Sequence, residues 1–197
     1  MNKILLTAMK QIPLLKPNQR FIFGVDGLSR AGKTTFVKRF IPFLESHALR
    51  VCAIHMDDHI VSYHQRYHTG HPEWVEYYRM QWHVDGLSSQ LFQPLRAEDT
   101  LVLPFYDKES DLHHTQTIHL PQTGVVIVEG IFLQRPEWRS YFDFVLYLDC
   151  AREKRFSREN KTEQKNRTKF ENRYWKAEDY YIDSVNPTKT ADLVFQI

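Results

Sequence analysis

Gly27-Leu28-Ser29-Arg30-Ala31-Gly32-Lys33-Thr34 spells G-x-x-x-x-G-K-T, the complete pattern of a phosphate-binding loop, and Thr35 follows it directly. Its flanks have the context such a loop needs. Arg20-Phe21-Ile22-Phe23-Gly24-Val25-Asp26 is a short apolar run suited to a buried strand. Thr34-Thr35-Phe36-Val37-Lys38-Arg39-Phe40-Ile41 carries apolar residues at helical spacing. With glycine at ~7% of residues, the four fixed positions recur by chance in roughly one chain in a hundred of this length. A strand before and a helix after make coincidence rarer still. The glycines let the backbone wrap around phosphates with its N–H groups pointing inward, and the start of the following helix adds its positive end. Gly27, Ser29, Arg30, Ala31, Gly32, Lys33, Thr34 and Thr35 are therefore the expected nucleotide-binding residues. Lys33 should reach the β- and γ-phosphates, and the Thr34 hydroxyl should ligate Mg²⁺. The motif implies binding of a nucleoside triphosphate.

The remaining composition bounds what surrounds this loop. The chain has 197 residues, 42% hydrophobic and 25% charged, which suits one globular domain over residues 1–197. A formal net charge of +2 is too mild for a surface that tracks nucleic acid. The stretch Ile4-Leu5-Leu6 is soon interrupted by Lys10, so the amino terminus reads as a surface helix ended near Pro13 rather than a signal peptide. No run approaches the length of a membrane span. Cys52 and Cys150 lie in or beside apolar strand-like runs, where a free thiol packs as a small hydrophobe, and a reducing cytoplasm is the expected setting.

Strand-like and helical runs alternate along the chain. The expected architecture is an α/β three-layer sandwich of the P-loop NTPase kind, with a mainly parallel sheet, helices on both faces and a helical lid. Strands are predicted near 20–26, 50–56, 101–105, 125–128, 143–148 and 191–195. Helices are predicted near 33–47, 72–92, 151–168 and 169–184. Gly86 and Pro94 divide the 72–95 region into two helical pieces, and Thr115 to Leu120 alternates like an exposed strand.

A phosphate loop alone does not separate kinases from switches, so the other strand ends must decide. Ligands of open α/β sheets sit beyond the carboxyl ends of the strands, which places Asp57 and Asp58, after the second strand, beside the triphosphate. A carboxylate there can take the proton of an acceptor hydroxyl and align it for attack on the γ-phosphorus; Asp after a strand also caps turns. Glu129 closes the buried run Val125-Val126-Ile127-Val128 and is the expected metal-side acid, with Thr34 and Asp57 as further metal-side oxygens. Arg155, Arg158, Lys161 and Lys165 recur at helical spacing within 152–170. Such a basic face could close as a lid over the transferring phosphoryl, with Arg155 and Arg158 as catalytic cations. It could equally be a solvated helix face. Tyr63, Tyr67, Trp74, Tyr77, Tyr78 and Trp82 either line a pocket or pack a core. The histidines show no pairing with cysteine at metal-site spacing.

In this order the motifs resemble the uridine kinase and phosphoribulokinase family of P-loop kinases, over most of the chain from Phe21 onward. Gly24 to Thr35 is similar to the family's opening loop. Met56-Asp57-Asp58-His59 falls where uridine kinases carry their catalytic aspartate, which favours Asp57 as base with Asp58 a close competitor on the substrate side. Pro104-Phe105-Tyr106-Asp107 resembles P-x-Y-D, and Val128-Glu129-Gly130-Ile131 the metal-binding F-E-G-I. Asp149 with Arg155 and Arg158 resembles the lid entry, and Pro187-Thr188-Lys189-Thr190-Ala191-Asp192 the closing strand. The resemblance implies transfer from ATP, with Mg²⁺, to a hydroxyl of a small molecule, first of all a nucleoside. Tyr106 and His71 are the substrate-side residues the resemblance implies, and Tyr67, from the aromatic group, is expected beside them. Two departures fall there. Gly70 precedes His71-Pro72 where uridine kinases place an acid, and Lys108 to Leu112 holds neither the histidine nor the arginine that touches the base. Pantothenate, glycerate and sugar phosphates are the other acceptor alcohols considered. A non-catalytic switch would need a guanine-reading N-K-x-D after a strand, and Asn160-Lys161-Thr162-Glu163 instead lies in the basic helical stretch. Neither membrane nor nucleic acid is an expected partner, and a homo-oligomer is left open.

Overall fold

The computed structural model describes residues 2–197. Five strands form one parallel sheet: β1 (Arg20–Asp26), β2 (Val51–His55), β5 (Gly124–Gly130), β6 (Phe144–Asp149) and β7 (Leu193–Gln196), in the order β2-β5-β1-β6-β7. Every residue of β1 and β5 is buried, which is why both read as near-continuous apolar runs rather than alternating ones. Gly24 in β1 sits where a Cβ would come within 3.0 Å of the Phe142 ring. The α/β three-layer architecture expected from the sequence is present.

Each face of the sheet has its own core. On one, helix α1 (Asn2–Met9) contributes Ile4, Leu5 and Ala8. Helix α2 (Lys33–Glu45) contributes Phe36, Val37, Phe40 and Leu44, packed on Phe23, Val25, Ile127 and Leu146. The apolar stripe at i, i+1, i+4 and i+8 explains why this segment is a helix despite Pro42 near its end. On the other face, Ile22, Val126, Val128 and Val145 are covered by Trp82, Leu91, Phe92, Trp138 and Tyr181.

Three predicted elements differ from what is found. The apolar run at 101–105 is not in the main sheet. It belongs to β3 (Thr100–Asp107), which pairs antiparallel with β4 (Leu112–His119) as a separate two-stranded sheet. Leu101 and Leu103 are buried while Thr100, Val102 and Pro104 are exposed, a one-sided pattern that a central parallel strand would not show. Pro104 also lacks the N–H a central strand needs. The 72–92 region is a chain of short pieces, beginning with α4 (Glu73–Arg79) and continuing through Val84–Leu87 and Ser88–Phe92. The predicted helix at 151–168 likewise breaks into Arg152–Phe156, Lys161–Lys165 and Arg167–Lys169 before a wide turn, Phe170–Trp175, feeds the helix Lys176–Val185. Asn160 and Asn166 start the two middle pieces by accepting from the Glu163 and Lys169 amides. A short helix, α3 (Tyr63–Arg66), lies between β2 and α4. Cys52 and Cys150 are both free thiols. Among the described residues no helix is long and apolar enough to cross a membrane.

Candidate active site at the carboxyl edge of the sheet

Strand register gathers the site. Val25 and His55 both lie opposite Glu129, and Asp26 lies opposite Gly130, so the ends of β1, β2 and β5 stand level. The phosphate loop springs from β1 through Asp26, whose buried carboxylate accepts from the Gly27 amide at 2.8 Å, the Gln134 side chain at 2.9 Å and the Tyr181 hydroxyl at 2.5 Å. Gly27 has φ +155° and a Cβ there would stand 2.8 Å from the Leu148 carbonyl, so glycine is required. Gly32, at φ +101°, caps α2 with no side chain of its own. The first amides of α2 are thereby left to whatever enters the loop.

Above the loop lies a cleft of about 1630 Å³. Ser29, Arg30, Ala31, Gly32, Lys33, Thr34 and Thr35 form one wall, joined by Asp57, Asp58 and Glu129 on its floor and Arg158 at its rim. Lys33 Nζ donates to the carbonyls of Gly27 at 2.9 Å and Leu28 at 3.2 Å. The Thr34 hydroxyl donates to Glu129 Oε1 at 2.8 Å, the oxygen that also meets His55 Nδ1 at 2.7 Å. Burial alone would raise the Glu129 carboxyl, but the His55 hydrogen bond, Lys33 and Thr34 outweigh it and hold it below the ordinary glutamate range. His55 moves up in response, through the same hydrogen bond. Asp57 is solvent-exposed where it lines the cleft, although protein atoms crowd its carboxyl. That crowding pushes its carboxyl above the ordinary range, Lys33 pulling it down and Glu129 and Asp58 adding to the rise.

Among the described residues no three His, Cys, Asp or Glu side chains are placed to hold a metal ion by themselves. That suits Mg²⁺, which is held by one or two protein oxygens while waters and substrate phosphates complete its shell. Glu129 Oε2 is buried and accepts no hydrogen bond among the described residues, and the Thr34 hydroxyl is bonded to the other oxygen of the same carboxylate. The donor set fits.

On the far side, Tyr67 and Tyr106 line the cleft with Tyr63, Arg66 and Lys108. The buried Arg66 donates to the Val61 carbonyl at 2.9 Å and the Tyr106 hydroxyl at 3.0 Å, and it stacks over the Tyr67 ring at 5.0 Å. Tyr106 in turn donates to Asp111 at 2.9 Å. His71 is exposed and does not line the cleft, which takes it out of the expected substrate wall: Gly70, at φ +86°, carries the turn outward before Pro72 starts α4. Arg155 also departs from expectation. It is 4% exposed and lies beneath the phosphate loop, its donors committed to Glu178, Ser29 and Cys150. Arg158 does reach the rim, where Nη1 donates to the Arg30 carbonyl at 2.7 Å. The Arg30 side chain meets Glu159 at 2.9 Å and 2.8 Å. Arg66, Glu159 and Glu178 had no motif to announce them, since each meets at least one partner distant in sequence: Tyr106, Arg30 and Arg155.

A parallel sheet with the phosphate loop after β1, an acid at the end of β5 and carboxylates after β2 is the layout of the P-loop kinase fold. Comparison narrows the class: the model of the phosphoribulokinase / uridine kinase family matches residues 22–197, and the chain belongs to that family. A uridine kinase of Staphylococcus epidermidis is 28% identical over 147 residues, covering 72% of this chain and 67% of its own. One from Borreliella burgdorferi is 29% identical over 143 residues, covering 70% of this chain and 64% of its own, so the chain spans about two thirds of such relatives. The solved structure of a possible uridine kinase from Bacillus stearothermophilus is 46% identical with a TM-score of 0.87, and 98% of each chain is covered. A D-glycerate 3-kinase from Cryptococcus neoformans shares the fold at 11% identity, with a TM-score of 0.55 over 96% of this chain and 87% of that one.

Proposed function

We propose that this protein transfers the γ-phosphoryl group of ATP to a hydroxyl of a small molecule, with a nucleoside as first candidate. The observation that carries the reading is one cleft holding the phosphate loop, the Asp57, Asp58 and Glu129 carboxylates, and a tyrosine-lined far wall. In the proposed step Asp57 accepts the hydroxyl proton while the acceptor oxygen bonds to the γ-phosphorus and the bond to the bridging oxygen breaks. Lys33 and Arg158 face the negative charge that spreads over the phosphoryl oxygens. Thr34 and Glu129 would hold Mg²⁺, with Asp57 close by; the ion supplies charge neutralisation on the β- and γ-phosphates. Asp58 is the alternative base, Tyr67 and Tyr106 are the proposed acceptor contacts, and residues 152–170 are the proposed lid.

A second acceptor class is favoured by a specific arrangement. The Tyr106 hydroxyl is already held between Arg66 and Asp111, and no acid precedes His71. Both facts weigh toward an alcohol other than uridine. An ATP-consumption assay over nucleosides, pantothenate, glycerate and sugar phosphates tests the reading. Turnover that depends on one alcohol supports it. Tight MgATP binding with no transfer to any of them would sink it in favour of a switch.

A further inference from the structure

Ser29 is held by both of its backbone polar groups. Its N–H donates to Glu178 Oε1 at 3.2 Å, and its carbonyl accepts from Arg155 Nη1 at 3.0 Å. The two side chains that grip it also grip each other. Arg155 Nη1 donates to Oε1 of Glu178 at 2.8 Å and Nη2 to Oε2 at 2.9 Å, while Nε donates to the Cys150 carbonyl at 2.9 Å. Glu178 is fully buried.

The two residues come from opposite ends of one segment. Arg155 belongs to the helix Arg152–Phe156 and Glu178 to the helix Lys176–Val185. Between them runs 157–175, which brings Arg158, Glu159, Lys169 and Tyr174 to the cleft. Both ends of this segment therefore converge on one residue of the phosphate loop. One turn further along the second helix, Tyr181 reaches Asp26 at the start of the same loop.

A buried ion pair returns little net stability over an apolar replacement, because stripping water from two charges offsets their attraction. What a guanidinium–carboxylate fork does supply is direction, since two parallel hydrogen bonds fix the planes of both groups. The loop it braces needs external direction: Gly27, Arg30 and Gly32 all have positive φ. A cradle shaped before the ligand arrives spares the ligand the cost of ordering it.

We propose that Arg155 and Glu178 are a positioning pair, which shapes the phosphate-binding loop through Ser29 and pins both ends of residues 157–175 to it. The inference rests on the cleft being the MgATP site of a phosphotransferase, but it is read by nucleotide affinity with no acceptor present. Calorimetric titration of Glu178→Gln with MgATP should show affinity weakened by about tenfold or more, the scale of a lost preorganising contact. Arg155→Met should do the same, and the double variant should be no worse than the weaker single, because the two act as one unit. The control is Arg20→Met, which breaks a buried network with Asp99, Leu95 and Pro121 at the opposite end of β1. That network lies about 20 Å from the loop. The control should lower the melting temperature and leave MgATP affinity unchanged. Should the Glu178 variant not fold, amide exchange of nucleotide-free wild-type protein decides: the Ser29 N–H should be protected. Wild-type affinity in Glu178→Gln, or a Ser29 amide exchanging as fast as an open loop, overturns the pair. MgATP binding without transfer to any alcohol would overturn only the kinase reading.

Discussion

At the scale of single residues, Asp57 and Glu129 are two carboxylates near one lysine whose surroundings drive them apart. Crowding and like charge raise Asp57, whereas His55, Lys33 and Thr34 hold Glu129 down. Such divergence is how neighbouring acids come to serve different ends. The proton acceptor is expected to be the first and the metal-side anion the second. Asp57→Asn should therefore leave MgATP affinity nearly intact, while turnover falls by about 10²- to 10⁴-fold, the range of a lost general base. Direct titration alongside steady-state rates checks this, and a variant with wild-type turnover would hand the role to Asp58. Lys33→Ala should weaken both quantities. The acids and the loop were legible because each directly follows an apolar run, so the chain itself announces where a strand ends. Arg155 was not. Helical spacing puts Arg155 and Arg158 three residues apart on one face, yet Arg155 goes under the loop and Arg158 over its rim. Only the tertiary position of Glu178 distinguishes them.

At the scale of elements, the tyrosine-lined wall is tied to the turn that follows the proposed lid by a second buried pair. Arg173 in the turn Phe170–Trp175 meets Glu76 of α4 at 2.9 Å, donates to the Arg66 carbonyl at 2.9 Å and stacks 3.9 Å over the Tyr67 ring. Glu76 also accepts from the Thr69 amide and hydroxyl, at 2.8 Å and 2.9 Å. Glu76→Gln should cost about 3–5 kcal/mol, because it leaves the Arg173 charge buried without its partner. Urea unfolding measures it. Burial pulls the Glu76 carboxyl upward, but the Thr69 and Arg173 contacts prevail and its value lies below the ordinary one. The contribution of the ionised carboxylate is thus complete above the ordinary glutamate range and is lost as pH falls through the lower folded value. The difference between wild type and variant should shrink over that acid window. The short helical pieces here were hard to read from sequence. Their aromatics fit helical spacing, but tertiary contacts such as Trp82 Nε1 to the Met56 carbonyl, at 2.8 Å, break the run into turns. The hairpin was half legible: Thr115 to Leu120 alternates like an exposed strand, but the apolar run at 101–105 reads as one more strand of the sheet despite Pro104.

At the scale of the molecule, a ligand that bridges the phosphate loop, the β5 acid and the lid ties together parts that otherwise meet only through the sheet. MgATP at a hundred times its Kd should stabilise the fold by about 2.7 kcal/mol. For a chain of this size that is a rise in melting temperature of roughly 5–10 °C. Chelating the metal should remove much of the rise, and Lys33→Ala should abolish it; thermal melting with and without EDTA reads both. An equal rise in EDTA would show that nucleotide binds here without a divalent ion. The parallel, helix-covered sheet that allows this was implicit in the alternation of strands and helices. The neighbours of each strand were not, because adjacency depends on which apolar faces meet.

That order has a consequence of its own. The strands carrying the phosphate loop and Glu129 are flanked on both sides, whereas β2, which delivers Asp57, pairs with β5 alone and forms the border. Backbone amides of β1 and β5 should thus be the last to exchange with deuterated solvent and those of β2 among the first of the sheet. On the proposed reading, the grip on the donor belongs to the interior strands, and recognition of the acceptor to a margin, a hairpin and short turns. New alcohols would then be accommodated by reshaping the periphery, with the residues proposed to hold the triphosphate left as they are.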